Sequence, residues 1–512
     1  PFVGDEGDGG LRWVDRGPER ALRIPGRMDP DRAAAVEEAI WDRMHFASHL
    51  RAQRLGEFTV GTELHRSESL AIIQLLLLYH LAMAKAAIAM GGAGARLVRG
   101  GITLPGIRQP MPTADPVTGL IECHWQVSYT LTTESTDHSD WLSGIYLVKL
   151  TGSASGKQSY IIFVVREDDR PSEFLFQSSV TTFQAYNNWG GKSTYPSNSR
   201  DEQWARKVSF NRPYARSQHP QGGSGVGAGE FLTAMSIHPT RTLSTAGWEY
   251  NMVRWLERNG YDVTYSTDID THTQAEFWKG RRAWLSVGHD EYWSQEMRRH
   301  VEAARNQGIG LGFFSANTCY WQIRLGPSLL TGEPNRTMVS YKEVALQEDP
   351  LALDGDPSND HLITVQWREP PVQRPEDALL GVMYGTVPVD GDILVTNPSH
   401  PLFDGVDLPP DHRLPGLLGY EIDQAFPGGP AGLVILAHSP YPRDGQVIYG
   451  DMTIYEAPSG ASVFAAGTIQ WSWGLDDYNA PALRTARSSE AVQRMTINVL
   501  RLLASKASTP VH

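Results

Sequence analysis

The sequence predicts an α+β chain of more than one domain, in which an antiparallel β-sandwich precedes an α/β domain built on a parallel sheet. Three observations predict it. The chain has 512 residues, and at ~100–200 residues per domain that allows two to four domains. From about 96 to 170, β-branched and aromatic residues alternate with polar ones and are broken by Gly and Ser, the texture of antiparallel strands. After 170, buried-strand runs alternate with helical periods, and that spacing implies a parallel sheet with right-handed crossovers. The expected divisions are 1–90, an N-terminal segment that is partly helical; 91–172, the sandwich, of the immunoglobulin-like kind; and 173–512, the α/β domain.

Taken in order, residues 1–27 are Gly- and Arg-rich and read as loop. Residues 28–55 open with an Asp N-cap and Pro near the first turn, then follow a helical period carrying His45 and His49 four apart. That spacing can bind metal, but no third ligand stands nearby, and a solvated face is the expectation. The run 70–90, "LAIIQLLLLYHLAMAKAAIAM", approaches the length of a membrane span. Gln74, His80 and Lys85 interrupt it, and Lys alone would cost roughly 3 kcal/mol in lipid, so a core element is expected. "HWQVSYTLTTES", "SGIYLVKLTG" and "QSYIIFVVRED" are the sandwich strands. "SEFLFQSS" begins the α/β part. "GWEYNMVRWLERNGYDVTYSTDID" is a helix ending at Asn-Gly and then a strand, and "RRAWLSVGHDEYWSQEMRRHVEAARNQGIGLGFFSANTCYW" is strand, helix, strand. "HLITVQW", "AGLVILAHS", "QVIYGDMT" and "ASVFAAGTI" are expected strands, residues 345–430 long loops, and 489–505 the last helix.

Hydrophobic residues make up 41% and charged residues 20%, ordinary for a globular protein. The net charge is −13, and no basic face is visible that could displace phosphate counterions, so neither nucleic acid nor an anionic membrane is an expected partner. Two cysteines far apart, Cys123 and Cys319, exclude a disulfide framework. The chain opens on Pro1 rather than Met, as expected if sequence precedes it, and no signal peptide is visible. A cytoplasmic location is the expectation, with periplasm or secretion open.

Ligands of such sheets bind beyond the carboxyl ends of the strands. "GHDEYWS" places His289, Asp290 and Glu291 there, and Ser315, Ala316 and Asn317 follow the next strand. Asp290 or Ser294 could cap the following helix, and Asp290 is taken as the cap. "AYNNWGGKSTY" (185–195) reads either as a tight turn with Asn and Gly at positive φ or as a site loop whose Gly-Gly lets backbone approach a ligand. Glu421 and Asp423 of "LLGYEIDQ" read as loop acids. There is no GxSxG elbow, P-loop or HExxH, and Cys319, without a paired His, reads as a structural thiol.

"AYNNWGGKS", "KVSFNRPY", "WEYNMVRWLERNGYDVTYSTDID", "GHDEYWS" and "SANTCYWQIR", in this order, resemble the large (β) subunit of N,N-dimethylformamidase and its relatives, over residues 91–505. The resemblance implies a sandwich followed by a domain like a glutamine amidotransferase without the Cys nucleophile. It implies a mononuclear iron, as Fe(III), held by two tyrosines and a glutamate. Carried over by motif, these are Tyr186, Glu291 and Tyr214, with Tyr250 as the rival for the second tyrosine. His289 and Asn317 match polar residues of that site, and Lys342 and Glu421 follow as further catalytic residues. It also implies a small amide substrate, a possible small partner subunit and a homo- or hetero-oligomer. In relatives the stretch before "GGAGARLV" alternates as strands, whereas here 70–90 is Leu- and Ala-rich, so no functional residue is expected before 91.

Two phenolates and a carboxylate are hard oxygen donors that suit Fe(III) and neutralise it. Such an ion polarises an amide and lowers the pKa of bound water. Glu421 is then the expected general base, and Asn317 or His289 would steady the oxyanion. Two other readings stay open: a non-catalytic binding protein for carbohydrate or a protein partner, and a hydrolase of the same fold acting on another small molecule.

Overall fold

The computed structural model describes residues 95–133, 141–156, 158–215, 227–232, 247–478 and 484–505, with a few short strands before residue 95. The expected helix over 28–55, with His45 and His49, lies outside the described residues. Of 70–90, only Ala71–Ile72 and Leu78–Tyr79 are described, both as short strands.

The described residues form a mixed α/β structure with several sheets and few helices, and no sheet among them closes into a barrel. Strands β1 (Gly144–Gly152) and β2 (Gln158–Val165) pair antiparallel, and Ala71–Ile72 and Leu78–Tyr79 add to the other edge of β1. These are two of the three expected sandwich strands. The third is a correction: residues 124–133 form no strand, because no described strand lies alongside to take their backbone hydrogen bonds.

The central sheet is built from β3 (Ser172–Ser178), β4 (Val263–Thr267), β5 (Arg281–His289), β6 (Gly310–Ala316), β9 (Val434–Arg443), β10 (Gln446–Glu456) and β11 (Ser462–Ala465). Its order is β4-β3-β5-β6-β11-β10-β9. The first five are parallel, and β10 and β9 complete the sheet antiparallel. Helices α2 (Tyr250–Arg258) and α4 (Glu490–Ser505) cover one face and α3 (Gln295–Asn306) the other. The strands show this in their alternation. Leu285, Val287 and Phe314 join the core under α2 and α4, while Trp284, Leu311 and Phe313 join the core under α3. A sheet buried on both faces reads as a near-continuous apolar run, as "AWLSV" and "IGLGFF" do. Truncating a fully buried Trp284 or Phe313 would cost about 3–5 kcal/mol.

Two further expectations are corrected beyond the sheet. "HLITVQW" is not a strand. It is a short 3-10 turn, Asp360–Leu362, and a buried irregular segment whose polar groups bond across to other loops: Lys342 N to Thr364 O (3.0 Å), Gln322 N to Val365 O (3.0 Å) and Trp367 N to Tyr320 O (3.0 Å). Residues 345–430 are not only loop. They contain a long antiparallel pair, β7 (Met383–Leu394) and β8 (Arg413–Gln424), and β8 carries Glu421 and Asp423.

Gly288 sets the direction of the chain at the end of β5. Its φ is +74°, and a Cβ there would lie 2.3 Å from the Trp248 Cβ. Only glycine fits both constraints, and the turn it makes carries His289, Asp290 and Glu291 off the sheet edge. The cap of α3 is Ser294, whose Oγ accepts from Met297 N (3.2 Å), not Asp290. Asp290 is instead buried and accepts from Ser286 Oγ (2.8 Å), Gln177 Nε2 (3.0 Å) and Trp293 Nε1 (2.8 Å).

Candidate active site

The carboxyl edge of the sheet brings the polar groups together. Helix α1 (Val180–Tyr186) follows β3 directly. Its first free N–H groups are taken by buried acids: Ser179 N bonds Glu249 Oε1 (2.9 Å) and Thr181 N bonds Asp268 Oδ2 (2.9 Å). Thr182 Oγ1 accepts from Glu291 N (2.9 Å), which ties α1 to the β5 exit. Tyr186 ends the helix, and its hydroxyl donates to Glu291 Oε2 (2.8 Å).

"NNWGG" then reverses the chain. Gly190 and Gly191 both take positive φ, +77° and +85°. The return stroke is fastened by Thr194 N to Ala185 O (3.0 Å), and Tyr195 stacks on Tyr186 with centroids 4.6 Å apart. The Tyr195 hydroxyl lies 2.8 Å from the Tyr186 hydroxyl and 3.0 Å and 3.2 Å from the two Glu291 oxygens. Tyr292 donates to Tyr195 at 2.5 Å. Two phenols and one carboxylate thus share a buried point.

His289 stands beside them. Its Nδ1 meets Glu230 Oε2 at 3.1 Å. Its Nε2 lies 3.2 Å from Glu291 Oε2 and 3.5 Å from Glu421 Oε2, near enough for charge attraction to both. Asn317, at φ +51°, donates from Nδ2 to Glu421 Oε2 (2.6 Å) and from its backbone N to Asp423 Oδ1 (2.7 Å). Asn317 Oδ1 and Asp423 Oδ2 are also buried without a partner. Lys342, at φ +58°, rests its ammonium 3.3 Å from the Tyr195 ring centroid and bonds Thr194 O (3.2 Å). Two non-glycine residues in the left-handed region within one site is stored strain of the kind functional sites carry.

Burial dominates the electrostatics, and neighbours modify it. Glu421 is pushed up to about 8 by burial, with His289 opposing and Glu291 adding. Asp423 is pushed up to about 7 by burial, against its bond from Asn317. Lys342 is brought down to about 8 by burial. Burial works against charge on His289, but Glu421 and Glu230 outweigh it and hold the imidazole well above its usual range. For Glu291 burial is likewise outweighed, here by His289, and its carboxyl lies low. Tyr186 and Tyr195 are held well above the usual phenol range by burial and then by Glu291.

Residues 86–483 match the family described as N,N-dimethylformamidase beta subunit-like, C-terminal. The chain belongs to this family. No curated protein matches it. Membership in the dimethylformamidase-like family supports, at a coarse level, a hydrolase of the dimethylformamidase type, and the words beta subunit point to a partner subunit. Among the described residues no helix is long and apolar enough to cross a membrane.

Of the residues expected for this dimethylformamidase-like site, the structure brings together Tyr186, Glu291, His289, Asn317, Glu421 and Lys342. It does not bring Tyr214. The Tyr214 hydroxyl meets Val180 O at 3.4 Å, and its ring packs on Phe183. Tyr250 opens α2 and packs on Phe231 and Tyr478. "NRPY" has another task. Arg212 donates to the carbonyls of Trp189 (3.1 Å), Lys192 (2.8 Å) and Asn187 (2.8 Å), which staples the "NNWGG" turn shut. The structure also places Tyr195, which the motifs do not single out, beside Tyr186 and Glu291. The signal was present, since "AYNNWGGKSTY" has a tyrosine on each side of a Gly-Gly reversal. Cys123 and Cys319 are free thiols, and burial holds Cys319 well above the usual thiol range, in keeping with a structural thiol.

Among the described residues no three His, Cys, Asp or Glu side chains are arranged to hold a metal. Tyr186, Tyr195 and Glu291 fit one. Their oxygens lie 2.8–3.2 Å apart in a buried place, and they could not all be anionic there without a cation between them.

Proposed function

We propose that the protein is a metal-dependent amidohydrolase that cleaves a small amide of the N,N-dimethylformamide kind to formate and an amine. The convergence of two phenols and one carboxylate beside Glu421 carries this reading. Tyr186, Tyr195 and Glu291 would hold a mononuclear Fe(III), with Tyr195 in the place first expected of Tyr214. When bound, the ion supplies Lewis acidity toward the carbonyl and toward water. We likewise read the antiparallel strands as part of an immunoglobulin-like sandwich over 91–172, and the parallel sheet as an amidotransferase-like domain over 173–512; the strand order supports the second.

The chain's own residues divide the remaining work. Glu421 takes a proton from water as oxygen adds to the amide carbon, and its pKa near 8 suits both accepting and returning that proton near neutrality. The C–N bond then breaks as the proton passes to nitrogen, leaving formate and the free amine. Asn317 Nδ2 fixes the Glu421 carboxylate, and His289 Nε2, 3.2 Å from Glu291 Oε2 and 3.5 Å from Glu421 Oε2, is placed to donate to negative charge that develops beside them. Lys342 offsets the charge of the phenol pair through the Tyr195 ring face. The test is incubation of the iron-loaded protein with N,N-dimethylformamide and quantification of both products. Equal amounts of formate and dimethylamine are expected. No release of either, from this or any other small amide, would remove the reading.

A further inference from the structure

The buried site has a half-buried neighbour pair that the mechanism leaves unused. His289, Glu291, Asn317 and Glu421 are each 5 % exposed or less, whereas Tyr320 and Tyr384 are only partly buried. Tyr320 is anchored beside Glu291, because its backbone N donates to Glu291 O (2.9 Å). Tyr384 stands opposite Asp423 in the β7–β8 register. Directly opposed residues of an antiparallel pair share a face, and so do residues two apart on one strand. Tyr384 therefore lies on the face that carries Asp423 and Glu421. The two rings meet with centroids 5.1 Å apart at 60°, and so connect the Glu291 side of the site to the Glu421 side. Burial and then Glu421 push the Tyr384 phenol up, in keeping with that placement.

The pair is braced from behind. Arg368 is held by Glu376 through Nε and Nη2 contacts of 3.1 Å, donates to Tyr384 O (3.3 Å) and sets its guanidinium 5.3 Å from the Tyr320 ring centroid. Neither phenol has a hydrogen-bond partner among the described residues. A fixed aromatic wall beside a buried polar site can select small ligands by their size.

We propose that Tyr320 and Tyr384 form the rim that determines substrate size, packing against the nitrogen substituents of a compact, uncharged amide and turning away bulkier ones. This deepens the proposed amidohydrolase reading and rests on it. The test compares kcat/KM for N,N-dimethylformamide and N,N-dibutylformamide in the wild type, Tyr384→Ala, Tyr320→Ala and Tyr384→Phe. The wild type should prefer the dimethyl compound. Tyr384→Ala should shift the ratio toward the dibutyl compound by at least about tenfold, since even one methylene in a shaped apolar pocket is worth roughly 10–200-fold. Tyr384→Phe keeps the wall and should leave the ratio within about threefold, a change below one methylene's worth.

An unchanged ratio in both Ala variants, with dimethylformamide still cleaved, would overturn the rim while leaving the amidohydrolase reading intact. If the wild type cleaves no formamide, that reading fails, and ligand-observed NMR of the same two amides decides the rim alone. Dibutylformamide binding gained only in the Ala variants supports it; identical binding in all four proteins overturns it.

Discussion

Replacing Tyr195 by Phe separates the tyrosine that the geometry favours from the one that the motif suggested. The substitution keeps the ring stacked on Tyr186 and removes the hydroxyl. That hydroxyl touches Tyr186 at 2.8 Å, Glu291 at 3.0 Å and Tyr292 at 2.5 Å. At about 1 kcal/mol net for each bond, the metal-free protein should lose about 2–3 kcal/mol. Tyr292 would be left with a single hydroxyl contact, to Thr194 at 3.4 Å. Metal binding should suffer more. Outer partners of a metal site are worth ~10–100-fold in affinity, and a lost donor costs at least that. Tyr214→Phe removes a single contact of 3.4 Å to Val180 O and should cost less than about 0.5 kcal/mol, as expected of so long a bond. The assay is iron per chain by elemental analysis after equilibration at limiting iron, with urea unfolding of both variants. Tyr195→Phe should be iron-poor and Tyr214→Phe wild-type. The reverse result would refute the placement of the donor set.

Two further predictions concern protons. Glu421→Gln removes the base but keeps a side chain of similar size beside Asn317. It should lower kcat by about 10²–10⁴ with KM and iron content little changed, and steady-state kinetics showing less than a tenfold loss would assign the base elsewhere. Glu257, far from the site, accepts from the Tyr265 hydroxyl at 2.6 Å and is raised from 4.5 to about 8 by burial. Because the folded value is the higher one, its contribution to stability is full below about 4.5 and is lost as pH rises through about 8. Glu257→Gln should therefore lose less stability than the wild type between mildly acidic and mildly alkaline pH, by on the order of 2–3 kcal/mol. Parallel slopes in urea unfolding would show that Glu257 is not a buried acid of this kind.

The elements with the strongest patterns were legible. Strands buried on both faces read as apolar runs, and the end of α2 is marked by its Asn-Gly pair. The errors share a cause, which is backbone partners that local pattern does not reveal. Residues 124–133 alternate like a strand but have no described strand beside them. "HLITVQW" looks like a strand, yet its backbone groups serve Lys342, Gln322 and Tyr320 one by one. In sequence Glu421 looks like a loop acid because Pro and Gly around it hide the β7–β8 pair.

The site was legible residue by residue but not as a geometry. Glu291, His289 and Asn317 sit at strand exits, where the topology of a parallel sheet predicts polar groups. Tyr186 and Tyr195 are brought together by a turn whose closure depends on Arg212, a residue about twenty positions on. "NRPY" drew attention to its tyrosine, while its arginine does the structural work. Ser294 rather than Asp290 caps α3 because Asp290 is already engaged by Ser286, Gln177 and Trp293.

The most direct test of the account is the metal content of the purified wild-type protein together with its visible absorption spectrum. The account predicts about one iron per chain and a broad phenolate-to-Fe(III) band, as two tyrosinate donors to a hard trivalent ion require. A colourless protein that contains no iron and takes none up would contradict it.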